Sequence, residues 1–198
     1  SHSTLKENIQ SPKAPTATMQ LMECVDEKIV LNQETIETLR QNFSHVRKPI
    51  YILSVAGNAR LGKSTFFNLF LVASQYQQKS KDEQVTSPTL PLEENALFAS
   101  GSQMDTLTKG LWVHPHPVRF SKGYALLVDC EGLDLNDDHS TGLLYLFAML
   151  FCTTFTIHDT KTIHNKTLTQ LALSLQLLKE LSDAQSYLPR ILFVIRDT

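Results

Sequence analysis

One run of eight residues, Gly57-Asn58-Ala59-Arg60-Leu61-Gly62-Lys63-Ser64, constrains this chain more than any other, because it matches G-x-x-x-x-G-K-[ST] at every specified position. The glycines let the backbone curl with its N–H groups turned inward on a phosphate, and a helix starting at the lysine points its positive end at the same anion. Such a loop belongs between a buried strand and a helix. Both are expected here: Ile50-Tyr51-Ile52-Leu53-Ser54-Val55-Ala56 is a run of β-formers, and Lys63 to Ala73 reads as a helix made broadly apolar by Phe66, Phe67, Leu69, Phe70 and Leu71. Lys63 would bridge β- and γ-phosphates and the Ser64 hydroxyl would ligate Mg²⁺, with the phosphate-contacting set running from Gly57 through Thr65. A coincidental glycine turn would not need the strand before it or the helix after it.

The rest of the chain reads as one α/β domain, for which 198 residues with 42% hydrophobic and 19% charged are ample. Residues 1–17, with Pro12, Pro15 and many Ser and Thr, read as a flexible lead-in, and residues 18–198 as the domain. Met19 to Cys24 and Lys28 to Leu31 flank a Val25-Asp26-Glu27 turn and suggest a hairpin. Asn32 then caps a helix to about Phe43, with Ile36 and Leu39 facing the core. Residues 74–94 turn polar and read as a surface insertion of low order. Strands are expected at 111–113, 124–128, 153–157 and 191–195, and helices at 141–151 and 168–181, the first packing on the sheet through Leu143, Leu144, Leu146, Phe147, Leu150 and Phe151. This alternation implies the three-layer P-loop NTPase fold: a mainly parallel sheet with helices on both faces.

Two further sites carry chemistry. Asp129 closes the apolar run Tyr124-Ala125-Leu126-Leu127-Val128, where an acidic partner for Mg²⁺ is needed, and Gly132 just beyond it is placed to give its backbone N–H to a γ-phosphate. Arg196-Asp197 ends the last apolar run, and an aspartate at the carboxyl end of a late strand can accept two hydrogen bonds from N1 and N2 of guanine.

The combination Gly-x-x-Arg-x-Gly-Lys-Ser, Asp-x-Glu-Gly and Arg-Asp resembles the guanylate-binding protein and atlastin branch of the dynamin-like GTPases. The likeness extends to Met19-Gln20-Leu21-Met22-Glu23, the helix after Asn32, Lys48-Pro49 and Thr108-Lys109-Gly110-Leu111-Trp112, and so covers about residues 18–198. A generic Ras-like domain would carry Asn-Lys-x-Asp, which is absent. The resemblance implies a Mg²⁺-dependent GTP hydrolase that also binds GDP and pairs through its G domain when GTP is bound. It also implies a cytoplasmic location, with membrane association through parts beyond this chain. It makes Thr108 the switch threonine that contacts Mg²⁺ and helps place the attacking water, and Arg60 an arginine finger acting in cis. The set carrying the reaction is then Arg60, Lys63, Ser64 and Thr108, and the metal set is Ser64, Thr108 and Asp129. The family's guanine cap, last sheet elements and helical stalk would follow Thr198, leaving the G domain incomplete here. Two departures stand out: Cys130 where many relatives carry threonine, and Asn58-Ala59 where a bulkier pair is common.

Several other classes are disfavoured. A net charge of −2 supplies no overall positive field for nucleic acid. The three cysteines form no Cys-x-x-Cys pair, which fits a reducing compartment, and no run approaches the length of a membrane span. His114-Pro115-His116-Pro117 reads as surface histidines at a strand end rather than a metal site, and Asp134, Asn136 and Asp138 as an acidic switch loop rather than a calcium loop. Two rivals stay open: a nucleotide-dependent interaction module with negligible hydrolysis, and an ATP-using P-loop enzyme.

Overall fold

The computed structural model describes residues 18–26, 28–57, 61–82, 98, 110–131, 139–180 and 188–197; the 1–17 lead-in and residues 83–94 of the insertion lie outside them. Strands β1 (Met19–Val25) and β2 (Lys28–Leu31) form the expected antiparallel hairpin, with Asp26 in the left-handed conformation at φ 49°. The Asn32 side chain accepts from the Thr35 N–H at 3.0 Å and caps α1 (Gln33–Phe43). The residue that α1 buries is polar. Thr35 is 1% exposed and its hydroxyl donates to the Gln20 carbonyl of β1 at 2.7 Å, whereas Ile36 and Leu39 are half-buried.

Beyond Pro49 the chain runs through β3 (Ile50–Gly57), α2 (Lys63–Asp82), β4 (Gly110–Val113), β5 (Val118–Phe120), β6 (Gly123–Glu131), α3 (His139–Phe151), β7 (Thr154–Thr160), α4 (Asn165–Glu180) and β8 (Arg190–Arg196). Several elements differ from expectation, β7 running on to Thr160 and α4 starting already at Asn165 among them. Helix α2 continues to Asp82, so the first part of the 74–94 insertion is helical: its Gln, Lys and Ser residues are acceptable helix formers, and polarity alone does not break a helix. Strand β6 carries on two residues past Asp129, to Glu131, because antiparallel pairing with β4 extends it. Strand β5 is only three residues long, too short to show periodicity, and forms by turning back on β6 at Ser121-Lys122.

Among the described residues the strand order is β2-β1-β4-β6-β3-β7-β8, with β5 paired to β6. The half β6-β3-β7-β8 is parallel, as a helical crossover between successive strands requires, while β1, β2, β4 and β5 pair antiparallel, so the sheet as a whole is mixed. Side chains alternate across the two central strands. Leu53 and Val55 of β3 with Ala125 and Leu127 of β6 face Phe67 and Leu71 of α2. Ile52 and Ala56 with Leu126, Val128 and Cys130 face the opposite layer, where α3 supplies Leu144, Tyr145 and Met149 and α4 supplies Leu171. Helices thus cover both faces. The stripe expected on α3 is partly right: Leu144 and Leu146 are buried, but Phe151, the last residue of the helix, is 59% exposed.

Candidate functional site: the phosphate loop and the strand ends around it

Because β3, β6, β7 and β8 run parallel, their carboxyl ends, Gly57, Glu131, Thr160 and Arg196, open on the same side of the sheet. That is where an open α/β sheet holds a ligand. Gly57 has φ 141° and Gly62 φ 79°, both in the region that favours glycine, and α2 begins at once with Lys63. The Phe66 N–H donates to the Gly62 carbonyl at 2.8 Å, closing the first helical turn. Residues Asn58, Ala59 and Arg60 lie outside the described residues.

Lys63 is 4% exposed, and its Nζ donates to the Gly57 carbonyl at 3.1 Å, so the ammonium is folded back toward the end of β3. Ser64 is the next residue, and its hydroxyl donates to Oδ2 of Asp129 at 3.1 Å. Asp129 is 1% exposed on β6, in register with Val55 of β3, which brings a carboxylate 65 residues away in sequence to the helix start. Two hard oxygen donors side by side suit Mg²⁺, and Ser64 and Asp129 could hold it. Thr65 is exposed at the same turn, while Thr108 and Gly132, expected to complete the site, lie outside the described residues, as do Asp134 and Asn136.

Arg196 and Asp197 are both exposed at the end of β8, two strands from β3. The Arg196 carbonyl accepts from the Lys161 N–H at 3.0 Å, tying β8 to the turn after β7. Its guanidinium reaches the loop, with one nitrogen 3.6 Å from where a Cβ on Gly62 would sit. Two cations, Lys63 and Arg196, therefore border the loop. Cys130 beside Asp129 is fully buried with its Sγ 3.4 Å from the Ser54 hydroxyl, and burial pushes its thiol well above the ordinary range, so it packs as a neutral core group. The histidine pair differs from expectation: His116 is exposed, but His114 is buried, its ring near that of Phe98 and its Nδ1 donating to the His116 carbonyl at 3.0 Å.

His158 gave no signal in the sequence. It lies in β7 in register with Gly57, is 5% exposed, and contacts the Leu61 carbonyl through Nδ1 at 3.3 Å. That contact exists only because β7 lies beside β3, which no local pattern reports.

The family model described as "Guanylate-binding protein, N-terminal domain" matches residues 26–197. Guanylate-binding protein 6 of Homo sapiens and that of Pongo abelii are each 28% identical to the chain over 156 residues, covering 76% of it. The chain spans about 20% of the length of these curated relatives. Among solved structures, the G domain of the T. maritima FeoB iron transporter is 12% identical, with a TM-score of 0.40 over 75% of this chain and 88% of that one.

Proposed function

The chain belongs to the guanylate-binding protein N-terminal domain family, and from that premise we propose that it binds GTP with Mg²⁺ and hydrolyses it, pairing with a second copy through the G domain when GTP is bound. The observation that carries this reading is the joined geometry of Lys63 folded over the Gly57 carbonyl and Ser64 bonded to Asp129. A ligand phosphate would draw the Lys63 ammonium from that carbonyl at little cost, since one oxygen acceptor replaces another. The loop amides and the positive end of α2 would hold the remaining phosphate oxygens.

Ser64 and Asp129, with Thr108, would hold the Mg²⁺, which when bound neutralises charge on the β- and γ-phosphates. Water attacks the γ-phosphorus, the bond to the bridging oxygen breaks, and GDP and inorganic phosphate leave. The chain's contribution is positioning and charge, and Arg60 acts as a cis finger once two domains pair. Fingers of this kind contribute about 10³ to 10⁵ in rate, because a planar cation with five donors spreads over the transferring group. Asp197 is the residue assigned to guanine.

Two assays test this. Fluorescent GTP and ATP analogues are titrated against the chain and against Lys63→Ala in the presence of Mg²⁺; a GTP preference that vanishes in the variant is expected, and equal or absent binding of the two nucleotides overturns the reading. Turnover of Arg60→Ala is then compared with that of the unsubstituted chain. A fall of at least about 10³-fold with affinity retained is expected of the enzyme, whereas an unchanged rate would favour a non-hydrolysing interaction module.

A further inference from the structure

One buried side chain beside Gly57 and Leu61 has no part in the proposed reaction. His158 is the register partner of Gly57, and the two backbones are so close that a Cβ on Gly57 would lie 2.4 Å from the His158 carbonyl oxygen and 3.2 Å from its Cβ. From there the imidazole reaches Leu61 and the first turn of α2. Its ring meets Phe66 of α2 edge to face, with centroids 5.2 Å apart, and its Nδ1 lies 3.3 Å from the Leu61 carbonyl oxygen. The whole residue is 5% exposed, and among the described residues Nε2 is buried without a hydrogen-bond partner.

The proton can be placed by chemistry. A carbonyl oxygen only accepts, so Nδ1 must carry hydrogen. Were the ring also protonated at Nε2, a buried cationic N–H would be left unpaired, which is far costlier than a bare ring nitrogen. Burial holds the imidazole pKa below its ordinary value and the nearby Lys63 ammonium acts in the same direction, outweighing the hydrogen bond to Leu61. The buried form is the neutral Nδ1–H tautomer.

The Leu61 carbonyl and the Gly62 N–H belong to one planar trans peptide, so they point in opposite directions. A donor that draws the carbonyl toward β7 turns the N–H away from the sheet. We infer that His158 is a positioning residue for the phosphate site, holding the Leu61–Gly62 peptide so that the Gly62 N–H is offered to the anion. Glycine at 62 is required by the same arrangement, since this orientation places the residue at φ 79°. His158 touches no substrate itself and works through the peptide. The inference rests on the GTP reading above.

The test exploits which ring nitrogen donates. An asparagine amide nitrogen occupies nearly the place of Nδ1, leucine has a similar shape without any donor, and a glutamine amide nitrogen falls nearer Nε2. Affinity for fluorescent GDP is measured in the full chain and in His158→Asn, His158→Leu and His158→Gln, beside thermal unfolding of each. Asn is expected to bind within about twofold of the unsubstituted chain and Leu and Gln about tenfold more weakly, the size of one lost hydrogen bond. That pattern should hold for competition by inorganic pyrophosphate as well, and it should not follow the unfolding temperatures. Equal binding by all four proteins, or losses that track unfolding temperature alone, overturns the positioning role and leaves the GTP reading standing. Failure of the unsubstituted chain to bind GDP overturns both.

Discussion

Gly57 and Gly62 look alike in the sequence but meet different surroundings. At Gly57 the φ of 141° and the backbone of His158 combine, because an added Cβ would lie 2.4 Å from a carbonyl that β-pairing holds in place. At Gly62 the φ of 79° is the main obstacle, the nearest atom being the movable Arg196 guanidinium at 3.6 Å. Gly62→Ala should therefore cost about 1–2 kcal/mol, the usual penalty for a left-handed L-residue. Gly57→Ala should cost about 3 kcal/mol or more, since strain and a backbone clash add. Urea unfolding of the two variants measures the difference, and equal losses would contradict the packing of β3 on β7. The pattern of glycines was legible from the motif, whereas the inequality between them required the neighbouring strand.

At the level of elements, the start of α4 is anchored by a buried carboxylate. Asp159, at the end of β7 and 2% exposed, accepts from the Thr160 N–H at 2.9 Å, the His164 N–H at 3.0 Å and the Thr167 hydroxyl at 3.0 Å, and also from Nδ1 of His164. Burial alone would raise its pKa, but these hydrogen bonds to the charged form outweigh burial and hold it below the ordinary carboxylate value. A lowered folded-state pKa means stability that is fully present above the unfolded value, about 3.9, and is lost as pH falls through the folded value. Asp159→Ala should accordingly lose about 2–3 kcal/mol at pH 7, and the gap from the unsubstituted chain should narrow below about pH 4. Melting curves followed by circular dichroism across pH 3–7 check both; a gap independent of pH would mean that the carboxylate does not anchor the helix. Elements with strong local signals, such as the Asn32-capped α1 and the apolar runs of β3, β7 and β8, were legible from residue order. Neither β5 nor the last nine residues of α2 was, because a three-residue strand has no period and a polar helix surface resembles a loop.

For the molecule as a whole, the proposed nucleotide binding would be linked to folding, because the candidate site draws on β3, α2, β6 and β8 together. A nucleotide that binds only the folded chain stabilises it by about 2.7 kcal/mol when present at a hundred times its Kd. In a domain of this size that corresponds to roughly 5–10 °C in Tm. Mg²⁺ with GTP should produce such a shift, and Lys63→Ala should abolish it, as thermal scanning fluorimetry can show; an equal shift in the variant would place the nucleotide elsewhere. Read alone, the chain already specifies the strand that ends at Gly57 and the helix that starts at Lys63, because those conformations depend on residues close together in sequence. It specifies too that a carboxylate ought to follow a later buried strand. Only the tertiary structure decided that Asp129 lies against Ser64, that Arg196 reaches Gly62 and that His158 supports Leu61, because each depends on strand order and register. Those are set by crossovers packing against the whole sheet, and no local spacing encodes them.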